Sequence, residues 1–335
     1  MYIHRIILRD VRNFEKLDMT LWNGWTDKHL ESVLLTGPNG SGKTTILRVI
    51  AALWECFNDW MNNQKVISNI NHPQDGVLIN AQLAAIEIRD FLDKPIWLFT
   101  VQDNDQLEEL KSISEAYLVG EVRSNISPRT GNFVCLPSEE WLNQLHNQKE
   151  KLIAGNPEAI SLPNLLFLEA ENRTIYSIRK ERSGNGSAYY EPYEWFKTYE
   201  ATQRWEGHLD AMFWNLRARD INQYKKVIED INQFLRPDKF ISDFDDGRLL
   251  QVSIAKNATH HTLDRLSAGE RQCVIMMFMV SRWLMPGGVV MIDEPDLHLH
   301  VSLQRHFIYE LEKVVHSIRW ATHYHCTLAT DMGRV

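Results

Sequence analysis

The apolar positions of this chain change period several times, and each change marks an element. Residues 2–14 (Tyr-Ile-His-Arg-Ile-Ile-Leu-Arg-Asp-Val-Arg-Asn-Phe) read as a strand running into a polar turn. Residues 15–22 read as its hairpin partner, and Trp22-Asn-Gly-Trp25 supplies turn chemistry. Val33, Leu34 and Leu35 predict a short buried strand, and Ile46, Leu47 and Ile50 give a helix over 43–61 its apolar face. A loop over 62–76 is followed by strands at Val77–Ile88 and Ile96–Val101. Short helices are expected at 105–118 and 138–154, among Pro128, Pro137 and Pro157. Leu165–Leu168 reads as a buried strand leading into Glu169-Ala-Glu-Asn-Arg173. Helical spacing is clearest over 199–235, from Trp205, Leu209, Met212, Phe213 and Leu216 to Ile221, Tyr224, Ile228, Ile231 and Leu235. Asp220 is placed to cap a break there, and Arg236-Pro237 ends the second helix. Val274–Trp283 suits a buried helix, Gly288–Ile292 a buried strand and Ile318–Thr322 a further strand. No heptad pattern is sustained, which argues against a coiled-coil arm.

Composition narrows the class. With 335 residues, 44% hydrophobic and 24% charged, the chain can bury a sizeable core in one large domain or two modest ones. The net charge of −8 argues against a protein that coats nucleic acid, while leaving room for a local basic groove. Cys56, Cys135, Cys273 and Cys326 form no CxxC pair, so a reduced, cytoplasmic protein is expected. Residues 1–20 lack a signal peptide's apolar stretch, and no run of 18 apolar residues predicts a membrane span. The aromatic cluster Tyr189, Tyr190, Tyr193, Trp195 and Phe196 reads as packing, and 179–187 as a solvated loop.

One stretch carries unambiguous chemistry. Gly37-Pro38-Asn39-Gly40-Ser41-Gly42-Lys43-Thr44 matches G-x-x-x-x-G-K-[ST] between a predicted strand and a predicted helix. Glycines let the backbone curl until N–H groups point at phosphate oxygens, and the helix start adds positive potential. Lys43 can reach the β- and γ-phosphates, and the Thr44 hydroxyl can ligate Mg²⁺. Far along the chain, Leu266-Ser267-Ala268-Gly269-Glu270 opens a helix, another ready anion site. Next comes Gly288-Val-Val-Met-Ile-Asp-Glu294-Pro, a buried strand that delivers two carboxylates at its C-terminal edge. Asp293 is placed to hold Mg²⁺ and Glu294 to orient or deprotonate a water. His323 follows the last predicted strand, where a γ-phosphate would lie.

The order of phosphate loop, LSxGE signature, Asp-Glu strand and strand-terminal His resembles the ABC-type ATPase head, a P-loop NTPase fold. Asp293-Glu-Pro-Asp-Leu-His-Leu-His300 and the opening Ile7-Leu-Arg-Asp-Val-Arg-Asn-Phe14 are similar to the branch holding RecF, the OLD-family nucleases, SMC-like heads and prokaryotic antiphage-defence ATPases. The resemblance implies an α/β fold with a mixed sheet core and an inserted helical lobe. Its parts would be an N-terminal lobe (1–101), an inserted lobe (102–260) and a C-terminal lobe (261–335). It implies ATP held by Gly37–Thr45 and Arg12, Mg²⁺ held by Thr44 and Asp293, Glu294 as catalytic base and His323 as γ-phosphate sensor. Ser267, Ala268, Gly269 and Glu270 would act on the nucleotide of a second subunit, Asp296 would lie in an inter-site loop, and Gln82 or Gln102 would reach Mg²⁺. A homodimer or higher oligomer follows, controlling a nuclease or toxin effector, with nucleic acid as a possible further partner. The alternatives are a RecF-like repair ATPase on DNA, or an ATP-bound scaffold with little turnover. Ala268 stands where the family has Gly, and Tyr324 follows His323 where Ser is usual.

Overall fold

The structure is a computed structural model, and it describes residues 1–67, 75–113, 115–123, 131–178, 193–256, 259–295, 299–319 and 326–330. The first hairpin, β1 (Tyr2–Val11) and β2 (Phe14–Thr20), pairs Val11 with Phe14 across a turn at Arg12 and Asn13. A small ribbon follows, β3 (Trp22–Asn23) and β4 (Lys28–His29), its turn held by Asn23 Oδ1, which accepts from the N–H groups of Trp25 and Thr26. Next come β5 (Ser32–Leu35), α1 (Lys43–Asn63), β6 (Leu83–Arg89), β7 (Ile96–Val101) and α2 (Asn104–Ile113). The middle of the chain holds β8 (Tyr117–Arg123), β9 (Gly131–Leu136), α3 (Glu140–Ile153), β10 (Leu165–Leu168) and β11 (Phe196–Thr198). Then come α4 (Leu209–Arg219), α5 (Ile221–Leu235), β12 (Lys239–Phe244), β13 (Leu250–Ile254) and β14 (Thr259–Thr262). The order ends with α6 (Ala268–Trp283), β15 (Val289–Ile292), α7 (Val301–Arg319) and β16 (Cys326–Thr330).

Two sheets organise these elements. A six-stranded mixed sheet runs β2-β1-β6-β7-β8-β9, and a five-stranded sheet runs β11-β10-β15-β16-β5 with every pairing parallel. The parallel sheet separates two cores by strand alternation. Leu165 and Phe167 of β10 and Val289 and Met291 of β15 join the core built around α1. Their neighbours Leu166, Leu168, Val290 and Ile292 face the core made by α4 to α7. In the mixed sheet, Trp97, Phe99 and Val101 of β7 pack with Leu107 and Leu110 of α2, while Ile96 and Leu98 face α1. The aromatic-cluster residues Tyr193 and Trp195 are core residues, and Trp195 stacks on Trp54 of α1 at 4.5 Å between ring centroids. Tyr189, Tyr190 and the loop 179–187 lie outside the described residues.

Several expectations need correction. The Val33–Leu35 run forms an edge strand, so Leu34 is 47% exposed rather than buried. Over Val77–Ile88 the chain first makes a 3-10 turn at Asp75–Val77, and the strand starts only at Leu83. The helix expected at 105–118 stops at Ile113, because Tyr117–Arg123 is a strand paired with β7 and β9. Gly120 makes this pairing possible, since a Cβ there would lie 2.1 Å from the Phe99 carbonyl oxygen. Within residues 102–260, β8 and β9 extend the mixed sheet, and β10 and β11 belong to the parallel one. Of the strand expected at Ile318–Thr322, only Ile318 and Arg319 are among the described residues. Both finish α7, whose apolar face packs Phe307, Leu311, Val314 and Val315 into the second core, and the last described strand is Cys326–Thr330. His323 lies outside the described residues.

Candidate nucleotide site

Parallel strands gather their C-terminal ends along one edge, the usual ligand edge of an open α/β sheet. Here β5 delivers the glycine loop, β15 delivers Asp293 and Glu294, and β10 delivers Glu169. β16 lies between β5 and β15, yet the Thr44 Oγ1 hydroxyl donates to Asp293 Oδ1 at 3.0 Å across that gap. Two residues 249 apart in sequence thus meet as a hydroxyl–carboxylate pair, one from each half of the predicted site.

The loop itself is held from behind. Lys43 Nζ donates to the carbonyls of Gly37 at 2.7 Å and Pro38 at 3.2 Å. Gly42, the residue before α1, has φ +96°, a conformation that L side chains rarely adopt. A Cβ there would also lie 2.4 Å from the Phe14 ring. Asn13 Nδ2 donates to the Gly40 carbonyl at 2.8 Å. The turn that carries Arg12 therefore clamps the loop, with Arg12 exposed beside the contact. Asn13 and Phe14 are legible only as part of an opening strand, because their roles depend on contacts with Gly40 and Gly42 across the sequence.

Glu169 carries no motif in the sequence. It follows Leu168, which pairs with Ile292 and accepts a hydrogen bond from the Asp293 N–H at 3.1 Å. It therefore stands at the same sheet edge as the predicted acids. Its carboxylate bridges Arg48 of α1 at 3.2 Å and Asn172 Nδ2 at 3.0 Å. Gln82 and Gln102 lie at the end of the mixed sheet, where the Gln102 N–H donates to the Gln82 carbonyl at 3.0 Å.

The Ser267 segment opens α6 with a full capping box. The Glu270 N–H donates to Ser267 Oγ at 3.3 Å, and Glu270 Oε2 accepts from the Ser267 N–H at 2.9 Å. Lys239 on β12 donates to both Glu270 oxygens at 2.7 and 2.8 Å. Burial raises the Glu270 pKa, but the Lys239 and Ser267 donors outweigh it and hold the carboxyl below its ordinary value. Gly269 is buried, and Ala268 is exposed beside Ser267 at the helix start. Asp296 lies outside the described residues. No described helix is long and apolar enough to cross a membrane.

A family described as "AAA domain" matches residues 5–237, more than half of the chain. The chain is 22% identical over 377 residues to the retron Vc95 probable ATPase of Vibrio cholerae, a match covering 97% of this chain and 70% of that protein. It is also 48% identical over 50 residues to the DNA replication and repair protein RecF of Roseiflexus castenholzii, covering 15% of this chain and 11% of the relative. RecF of Erwinia tasmaniensis is 32% identical over 89 residues, covering 26% and 22%. Among solved structures, the SMC head domain from Thermotoga maritima aligns with TM-score 0.44 and 12% identity, over 99% of this chain and 90% of that one. With its phosphate loop and acidic strand end on one sheet edge, the chain belongs to the AAA domain family.

Proposed function

We propose that two copies of this chain close head to tail around ATP, hydrolyse it, and through that cycle control a separate effector, a nuclease or toxin, in antiphage defence. The observation that carries the catalytic part is the 3.0 Å contact between Thr44 Oγ1 and Asp293 Oδ1 at the mouth of the glycine loop. A hydroxyl and a carboxylate converging there fit a small hard cation, which takes oxygen ligands. Mg²⁺ held by these two would neutralise charge on the β- and γ-phosphates. Lys43 would exchange its two loop carbonyls for phosphate oxygens. Glu294, next to Asp293, would take the proton from the attacking water. Ser267, Ala268, Gly269 and Glu270 would present the α6 start to the nucleotide of the other copy.

Similarity to the retron Vc95 probable ATPase over 97% of the chain supports the effector-controlling role. The RecF matches extend over 15% and 26% of the chain, so a repair ATPase acting on DNA is the second reading. The decisive experiment is Glu294→Gln in the full chain, followed by light scattering with and without Mg²⁺·ATP. The variant should bind ATP, lose turnover by about a hundredfold or more, and double its mass only with ATP. A mass that ignores ATP would refute the dimer. Co-purification from the native host separates the two roles, since a stoichiometric effector supports the first and a bare dimer retaining DNA supports the second.

A further inference from the structure

Arg173 is a charged residue with only 3% of its surface exposed, in a segment whose sequence gives it no motif. A guanidinium is costly to bury unless its donors are used. Here Nη2 donates to the backbone carbonyl of Glu294 at 2.6 Å, and Nη1 reaches the Met276 sulfur on α6 at 3.3 Å. The segment that presents it is fixed at both ends. Glu169 is held by Arg48, and the Ser177 hydroxyl donates to Asp264 at 2.6 Å.

The carbonyl it grips belongs to an unusual residue. Glu294 has φ +46°, in the left-handed region that costs an L-residue energy. It also precedes Pro295, whose ring biases the preceding residue towards extended backbone. Two local preferences thus oppose the observed turn, and such a conformation persists only where its surroundings over-determine it. The direction of the carboxylate follows from that backbone.

We propose that Arg173 is a positioning residue for hydrolysis, holding the Glu294 turn against α6 so that the carboxylate faces the nucleotide edge. The proposal rests on the reading of Glu294 as the base. Arginine suits the task because its planar fork reaches two partners in fixed directions, which a lysine ammonium does not. Neither contact is with the phosphate loop, so ATP affinity should be independent of it.

The test compares the parent chain, Arg173→Lys, Arg173→Met and Glu294→Gln, all full length. It measures kcat and KM, the Kd of a fluorescent ATP analogue, the melting temperature, and mass with Mg²⁺·ATP. Arg173→Lys keeps the charge and stem, so it guards against misfolding of the Met variant. Both variants should lose 10- to 100-fold in kcat, as supporting groups around reactive sites do, with KM and Kd within about twofold of the parent. Arg173→Lys should also accumulate the ATP-bound dimer, as Glu294→Gln does. An unchanged kcat in Arg173→Lys, or a Kd that rises in step with any loss of kcat, would overturn the proposal while leaving the Glu294 reading intact. Parental turnover retained by Glu294→Gln would overturn the Glu294 reading, and this proposal with it.

Discussion

At the scale of single residues, the glycine loop shows what a local motif can and cannot reveal. The chemistry of Lys43 and Thr44 is legible because strand, loop and helix follow one another within a few residues. The reason Gly42 must be glycine is only half local: its φ is +96°, and the Phe14 ring fills the space a methyl group would need. Gly42→Ala should therefore destabilise the fold by about 1–3 kcal/mol and weaken ATP binding at least tenfold, by order of magnitude. Thermal melting and titration with a fluorescent ATP analogue check this. Unchanged affinity would show that the loop reaches its binding form without the left-handed residue. Asn13, Glu169 and Arg173 were illegible for a related reason. Each acts through a partner 27 to 121 residues away, and no spacing rule in one sequence reports such a meeting.

Elements were legible where one face was apolar and the ends carried caps. Asp220 divides α4 from α5 as expected, its carboxylate accepting from the N–H groups of Asn222 and Gln223 at 3.1 and 2.9 Å. Strands were lost where burial is not apolar. β8 buries Glu121 beside Arg123 and carries Gly120, so its alternation reads as a helix end followed by a loop. The β12–β14 sheet alternates with polar residues such as Ser242, Asp243, His260 and His261, and gave no periodic signal. One small element also makes a pH prediction. His29 on β4 packs edge-on against Trp22 at 4.6 Å and close to Tyr2, and burial, helped by the nearby His4, lowers its pKa from 6.5 to about 4. Between those values the unfolded chain binds the proton and the folded chain does not, so folding loses stability as pH falls from about 6.5 towards 4. His29→Phe should flatten that part of the melting-temperature profile. An identical slope in parent and variant would assign the acid sensitivity elsewhere.

The whole molecule sets the hardest constraint. α1 covers one face of the parallel sheet and α6 the other, so the helix starts at Lys43 and Ala268 belong to opposite cores of one chain. They are also 225 residues apart in sequence, joined through the sheet rather than through each other. A signature on the far side of the sheet serves a phosphate loop most simply when the loop belongs to another copy, and this arrangement can be tested by complementation. Lys43→Ala removes the ammonium from one phosphate loop, and Ser267→Arg blocks one signature with a bulky charge. Each variant alone has no complete site in any pairing with itself, and should lose nearly all ATPase activity. In a mixed dimer, the intact phosphate loop of the Ser267→Arg chain faces the intact signature of the Lys43→Ala chain. One complete site is rebuilt and the other is doubly defective. Mixing equal amounts should therefore restore up to about a quarter of parental turnover, half the activity in the half of dimers that are mixed. Were loop and signature to serve one nucleotide within a single chain, every chain in the mixture would still carry its own lesion, and mixing would restore nothing.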